Sequence, residues 1–291
     1  MRILVLGATG FVGRRLVAAL QQAGHEVRCL ARDPRKAEGP GVEVVKGDML
    51  DPEAVSRAVD GVHAVYFCVH TLSKQADPSA DFMDVERTGL RNVIDAAQRH
   101  GVRRVVYVTA IGTDPASVNS WARGRAQTER MLFDSGLDAT VLRPGMIVGH
   151  GGDGFAMVER GARSRVAVLM ASRRTRFRTI AVDDLAGALT DVLDEPRAYG
   201  KAFDVGSDDV LTIDEMIDIA ADHLSRKHPV KVHLPRRALA VVGPLIERVA
   251  GMPRGAVGAF VGPGSEADLV GDAKPIRALL TSPPRSFRES L

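Results

Sequence analysis

The chain has 291 residues, of which 45% are hydrophobic and 26% charged, a composition that excludes an extended disordered polypeptide and accommodates one large domain with an appendage, or two domains. A formal net charge of +3 is too small an arginine excess to imply nucleic acid, although it suits an anionic small molecule. Two cysteines are too few for a disulfide framework, and no apolar run reaches the ~18 residues of a membrane span. The run Ala238–Ala250 comes closest and is interrupted by Pro244, Glu247 and Arg248. Met1 leads straight into a strand pattern with no leader-like segment, so the expected location is cytoplasmic.

The first half alternates short β-branched runs with helical patterns. Ile3–Leu6 is predicted as a strand, Phe11–Ala23 as a helix ended by Gly24, and Val27–Leu30 and Val42–Lys46 as strands. Asp51 then opens a short helix with Pro52 at its first position, where a missing N–H costs nothing. His63–Cys68 is the fourth strand. The helix Asp81–His100 follows, with Leu90, Val93, Ile94 and Ala97 on one face and Gly101 as its stop. Arg104–Thr109 reads as a strand, Trp121–Ser135 as a helix, and Asp138–Arg143 as a sixth strand halted by Pro144. These strands are apolar throughout and do not alternate, so helices should cover both faces. The expected fold class is α/β, a Rossmann-type doubly wound parallel sheet.

Past Pro144 the rhythm changes. Glycines cluster at 149, 151, 152 and 154, and an arginine-rich segment runs from Arg160 to Arg178. Val182–Leu193 reads as a helix returning to the main domain. Ala202–Val205 is a strand, Thr212–Arg226 a helix with Thr212 and Glu215 as a capping box, and Val230–Leu234 a strand before a proline- and glycine-rich tail. The expected division is a discontinuous nucleotide domain, residues 1–150 plus 178–195, and a smaller C-terminal α/β substrate lobe, residues 151–177 plus 196–291.

Gly7-Ala8-Thr9-Gly10-Phe11-Val12-Gly13 lies between a strand and a helix, the context that makes such a loop informative. Gly7, Gly10 and Gly13 allow a tight turn and close approach of backbone to pyrophosphate, and Thr9, Phe11 and Val12 bring helix N-terminal N–H groups to the anion. After the second strand, where NAD sites usually carry an acidic residue, the chain reads Arg32-Asp33-Pro34-Arg35. Arg32, with Arg35 beside it, can clamp a 2′-phosphate, while Asp33 serves as a turn residue. The expected cofactor is therefore NADP(H). Asp48 either accepts from the adenine amino group, with Met49 packing the ring, or is a turn or N-cap aspartate near Asp51. Val69, His70 and Thr71 follow the fourth strand, at the edge where the adenosine ribose would pass.

The chain at this point resembles the short-chain dehydrogenase/reductase superfamily, in its atypical, NmrA-like NAD(P)H-binding branch. The resemblance rests on residues 7–13, 27–34, Gly47-Asp48, Gly89–Ile94, Val105–Thr109, Leu142-Arg143-Pro144-Gly145 and Ile180–Ala186, and spans about residues 1–225. It implies that Thr109, Ala110, Pro144, Gly145 and Met146 join the cofactor site. Members that catalyse redox chemistry carry Tyr-x-x-x-Lys on the helix after the fifth strand; here the helix starts Trp121-Ala122-Arg123-Gly124-Arg125. An indole N–H is no usable acid, and a guanidinium is a poor proton shuttle.

Two readings follow. One is an NADP(H)-dependent oxidoreductase acting on a small, rather apolar carbonyl, enone or quinone-type substrate, with Arg125, Thr109 and His150 as candidate catalytic groups and His70 as a further proton donor. The other is a non-catalytic NADP(H)-binding sensor, regulator or assembly factor.

The arginines from Arg160 to Arg178 either grip an anion or form a solvated basic face, and only Phe177 among them is aromatic, against nucleic-acid binding. Phe155, Met146, Met157 and Met170 either line an apolar substrate pocket or pack a core. Asp183 or Asp184 is expected to cap the helix that follows, and Asn92 to pack within its own. Cys29 and Cys68, on strands either side of the first, would lie about 9–10 Å apart, beyond the ~7 Å reach of a bridge. No residue set has metal-ligand spacing, so no metal is expected. The identity of the small-molecule substrate and the oligomeric state are not legible.

Overall fold

Valine, leucine and isoleucine fill the strands of the main sheet because both of its faces are covered. The computed structural model describes residues 1–70, 82–170, 172–235 and 268–291, with the single positions 243, 245 and 248. Its strands are β1 (Arg2–Leu6), β2 (Glu26–Ala31), β3 (Val42–Lys46), β4 (Ala64–Phe67), β5 (Arg104–Val108), β6 (Asp138–Pro144), β7 (Met146–Val148), β8 (Val166–Leu169), β9 (Arg176–Ala181), β10 (Lys201–Val205), β11 (Val210–Thr212) and β12 (Val230–His233). The helices are α1 (Phe11–Gln22), α2 (Pro52–Val59), α3 (Phe82–His100), α4 (Ser120–Phe133), α5 (Asp153–Arg163), α6 (Val182–Asp191), α7 (Ile213–His223) and α8 (Lys274–Arg277). Thr71, the expected helix start at Asp81, the run Ala238–Ala250 apart from positions 243, 245 and 248, and most of the tail lie outside the described residues.

Seven parallel strands run in the order β3-β2-β1-β4-β5-β6-β10. Ile3 and Val5 of β1 face Leu16 and Leu20 of α1 and Leu185 and Leu189 of α6. Leu4 and Leu6 face the other way, onto Val55 and Val59 of α2, Leu90 and Val93 of α3 and Leu132 of α4. This is the α/β, doubly wound architecture of a Rossmann-type fold, with its topological switch between β1 and β4. Two buried arginines fix helices to the sheet. Arg28 of β2 donates to the carbonyls of Ala58 (2.9 Å) and Asp60 (2.5 Å) at the end of α2. Arg104 of β5 donates to those of Val192 (2.5 Å) and Leu193 (2.7 Å) just past α6. Each supplies positive charge and donors where helix carbonyls have none.

The smaller lobe holds a three-stranded sheet, β11-β9-β7, and a parallel ribbon, β12-β8. Its core is Val148, Phe155, Val158, Leu169, Met216, Ile217 and Phe287. Phe155 meets Phe287 edge to face at 6.1 Å, so of its two expected roles the core one holds. Strand β9 recruits the C-terminal segment through Arg178 N–H to Leu269 O (2.9 Å) and Leu269 N–H to Arg176 O (2.8 Å).

Several expectations need correction. Residues 196–206 do not belong to the lobe, because β10 pairs with β6 and completes the main sheet. Ile276 of the tail also returns to the main core. The arginine-rich segment is not one unit but α5, β8 and the start of β9. Neither Asp183 nor Asp184 caps α6, whose N-cap position is Ala181 with no side-chain bond. Asp184 instead accepts from Arg285 N (2.7 Å) and Nε (2.9 Å), and Asp183 pairs with Arg15 at 3.2 Å. Both still sit in the first turn, where the dipole favours them. The expected caps at Asp51 and at Thr212 with Glu215 are present.

Candidate functional site

The carboxyl ends of the parallel strands place Gly7, Arg32, Asp48, Val69, Thr109 and Gly145 along one edge of the sheet. The glycines of the loop there stand where side chains would crowd the backbone. Gly7 has φ +83°, and a Cβ on it would stand 2.6 Å from the carbonyl oxygen of Cys68. A Cβ on Gly13 would stand 2.1 Å from Gly7 O, and one on Gly10 3.1 Å from it. The turn closes through Gly10 N–H to Gly7 O at 2.9 Å, and Arg14 Nε donates to Thr9 O at 2.8 Å. Gly10 takes the N-cap position of α1 without a side-chain cap, so first-turn N–H groups are left for an anion. Phe11 packs against the next loop: a Cβ on Gly152 would meet its ring at 2.7 Å. Val12 packs on the main core.

Arg32, 63% exposed, stands at the end of β2 with its Nε 3.9 Å from Asp48 Oδ2. Asp48 Oδ1 accepts from Leu50 N–H at 3.0 Å, a turn role that leaves its other oxygen beside Arg32. Arg35 is drawn away: its Nε and Nη2 bind both oxygens of Asp33, at 3.0 and 3.2 Å, and that pairing lowers the Asp33 pKa. Asn92 donates from Nδ2 to Met49 O at 2.9 Å, and the Met49 thioether fills the space over Gly89. The asparagine expected merely to pack thus sets the position of Met49.

Beneath the edge between β5 and β6 lies a buried ion network that the sequence reading did not identify. Arg125 of α4 is wholly buried and its Nη1 lies 3.1 Å from Glu86 Oε1 of α3. Tyr107 donates its phenol proton to the same Glu86 oxygen and lies 3.0 Å from Thr128 Oγ1. Burial acts against the Arg125 charge, but Glu86 and Tyr107 more than offset it, so its pKa is raised. Next to this pair, Thr109 donates to Glu129 Oε1 at 2.6 Å, and Arg143 binds both Glu129 oxygens. Arg125 Nε and Nη2 and Trp121 Nε1 are buried and have no hydrogen-bond partner among the described residues. The Arg125 guanidinium carbon lies 5.5 Å from the centre of the Trp121 ring. The signal for the network was in the sequence: Glu86 lies on the apolar stripe of its helix with Met83, Leu90 and Val93, and Glu129 on that of Ala122, Arg125 and Leu132.

His70 keeps surface open at the edge while the protein crowds it elsewhere; that crowding, with the Arg125 charge, pushes its pKa down to about 3. Between its ordinary pKa of about 6.5 and this value the unfolded chain binds a proton that the native one refuses. Stability from this site is therefore full above about pH 6.5 and is lost as pH falls toward 3. His70→Asn is expected to flatten the loss of stability between neutral pH and pH 5, measured by urea denaturation.

His150 lies past β7 with its side chain 95% exposed, 3.9 Å from Glu159. Ala110 O accepts from Thr113 Oγ1 at 2.9 Å, Pro144 O from Ile111 N–H at 3.0 Å, and Gly145 N–H donates to Val205 O at 3.0 Å. Met146 starts β7 beside the lobe core. The edge thus gathers the glycine loop, Arg32, Asp48, Met49, Val69, His70, Thr109, Ala110, Pro144, Gly145 and Met146, with Arg125 beneath, whereas Arg35 is held by Asp33 and His150 faces solvent. Cys29 and Cys68 are free, and burial pushes both thiols up to about 12. Among the described residues there is no cluster that could hold a metal, and no helix long and apolar enough to cross a membrane.

Comparison with known proteins agrees with this geometry. The chain is 31% identical over 253 residues to a ceramide reductase of Caulobacter vibrioides, spanning 84% of this chain and 77% of that one. It is 30% identical over 146 residues to the photosystem II assembly factor Ycf39 of Cyanophora paradoxa, and spans only 44% of that protein's length. An NADPH-dependent quinone oxidoreductase of Escherichia coli, solved with NADPH, shares the fold with a TM-score of 0.79 at 23% identity, over 99% of this chain and 98% of that one. Residues 7–196, from the first glycine of the loop to the turn before β10, match the NAD(P)H-binding family, and the chain belongs to that family.

Proposed function

We propose that the protein is an NADP(H)-dependent reductase of small, rather apolar carbonyl, enone or quinone-type compounds, of the atypical, NmrA-like kind. The observation that carries this reading is a turn that admits no Cβ at Gly7 or Gly13, near three buried donor nitrogens without acceptors among the described residues. The names of two similar proteins, a ceramide reductase and a quinone oxidoreductase, support it.

Gly7–Gly13 and the first turn of α1 would hold the pyrophosphate, Arg32 the 2′-phosphate, and Asp48 with Met49 the adenine. Arg125, at the place where catalytic relatives carry lysine, would take the ribose hydroxyls with Nε and Nη2. Bound NADPH supplies a hydride. Trp121 Nε1 has a proton to donate and no lone pair to offer, so it selects an oxygen acceptor and steadies negative charge growing there. Neither it nor Arg125 releases a proton near neutral pH. Thr109 has its proton committed to Glu129, and His70 is neutral, so the proton that completes the product comes from water.

That same lack of a poised acid favours a second reading, NADP(H) binding without turnover, and one relative is named as an assembly factor. The test mixes protein and NADPH with a panel of quinones, aldehydes and enones and follows loss of NADPH absorbance. Turnover that falls in Trp121→Phe supports the first reading; micromolar NADPH binding with no turnover on any of them selects the second. For the cofactor, Arg32→Ala is expected to weaken NADPH by about 10-fold or more, the worth of a charge-assisted phosphate contact, and to leave NADH within about twofold in a fluorescence titration.

A further inference from the structure

The ribbon β8–β12 is built inside out. In β12, Lys231 and His233 turn toward the protein, where Lys231 Nζ meets Asp218 at 2.5 Å and His233 Nε2 meets Asp214 at 2.9 Å, both on α7. In β8, Ala167 and Leu169 are buried in the lobe core. The opposite face carries four valines in register, Val166 beside Val230 and Val168 beside Val232. They are 51%, 65%, 58% and 42% exposed. A shift of β12 by one residue would bury its valines and expose lysine and histidine, the usual protection of a sheet edge. The actual register does the reverse, and aspartates on α7 hold it there.

Positive charge gathers beside this face. Some surface arginines elsewhere are paired, as in Arg2–Glu26, Arg103–Asp138, Arg176–Asp268 and Arg197–Glu195, and others, such as Arg57 and Arg91, have no ionic partner among the described residues. Arg160, Arg163, Arg165, Arg173, Arg174 and Lys227 are exposed and form no ion pair among the described residues. The strands are parallel, so the chain before β8 and the chain before β12 meet at one end of the ribbon. There Arg226 Nη2 donates to Arg163 O at 2.9 Å and Val230 N–H to Arg165 O at 3.0 Å. An apolar face thus has an end rich in cations, where Asp222 is engaged by His228 at 2.8 Å, and Arg173 and Arg174 follow β8 in the chain.

We propose that this face docks the protein onto an anionic membrane surface. Four half-exposed valines fall well short of the ~800 Å² per partner of a stable protein interface. A lipid surface requires no matching shape, takes short apolar side chains at its headgroup boundary, and offers negative charge to the exposed arginines. A second copy would instead bring a second set of unpaired cations to the same place. The proposal is independent of whether NADP(H) turns over.

The test is co-sedimentation of the full chain with vesicles of mixed phosphatidylcholine and phosphatidylglycerol, against phosphatidylcholine alone. Binding is expected only to the anionic vesicles and should weaken as salt rises. The pair Val168→Asp with Val232→Asp, and separately Arg163→Glu with Arg165→Glu, should each reduce it about tenfold or more while NADPH affinity is retained. Val168→Thr with Val232→Thr replaces the aspartate pair if that pair fails to bind NADPH. The proposal is overturned by equal sedimentation with both vesicle types, by binding that neither valine pair alters, or by a dimer in light scattering that the valine variants dissociate.

Discussion

Arg125→Met is expected to lose about 3–5 kcal/mol of folding stability in urea denaturation, the cost of leaving one partner of a buried ion pair uncompensated. The loss should come from Glu86 and not from the missing guanidinium. Glu86 is fully buried, and its Oε1 is held by Arg125 and by the Tyr107 hydroxyl. Without Arg125 a carboxylate stays in the core without its guanidinium, and burial has already pushed the Tyr107 pKa far up, so the phenol cannot supply the charge. Adding Glu86→Gln to Arg125→Met removes the orphaned charge. The double variant should lose less than the sum of the single losses by about 1–3 kcal/mol, the coupling of a contacting pair. Additive losses would mean that the pair is not coupled.

Arg125→Lys separates structure from ligand binding. An ammonium can answer Glu86, but it cannot also present the two further N–H groups that Arg125 holds without partners. Stability should recover in part while cofactor affinity stays low. Recovery of both would show that the two free N–H groups have no ligand.

The main sheet was legible because its inner strands are mostly apolar on both faces and glycine or proline stops fall at strand or helix ends, as at Gly24, Gly101 and Pro144. The lobe was not. Its strands β7, β8, β9 and β11 have three to six residues, and Arg176 and Arg178 of β9 look like a basic surface run until Asp268 and Val270 are seen to bind them. That partner lies some ninety residues away, beyond any local pattern. The same holds for β10, which has a plain strand sequence but a place in the main sheet that only the tertiary pairing decides. In the site, the glycine loop and Arg32 were readable because their chemistry is local. The buried network was half readable: charged residues on apolar helix stripes mark it, whereas the pairing of Arg125 with Glu86, and of Arg143 with Glu129, depends on how α3, α4 and β6 come together.

The second large effect sets two glycines of the same chain against each other. Gly13→Ala adds one methyl group on the buried side of α1, where it would lie 2.1 Å from Gly7 O and 2.8 Å from Ala8 Cα. Those atoms are backbone of the turn itself, so no side-chain rotation relieves the overlap, and the loop must move away from α1. Affinity for NADPH is expected to fall about 100-fold or more, a loss of ~2.7 kcal/mol from displaced N–H donors. Gly187→Ala makes the same chemical change inside α6, where nothing lies within 4 Å of the new Cβ. There it removes only the excess freedom of the unfolded chain and should raise stability by about 0.5–1 kcal/mol with NADPH affinity unchanged. Titration and denaturation of both variants decide the matter: NADPH affinity should fall in Gly13→Ala alone, and a Gly13→Ala protein that binds NADPH normally would show that the loop does not hold the pyrophosphate.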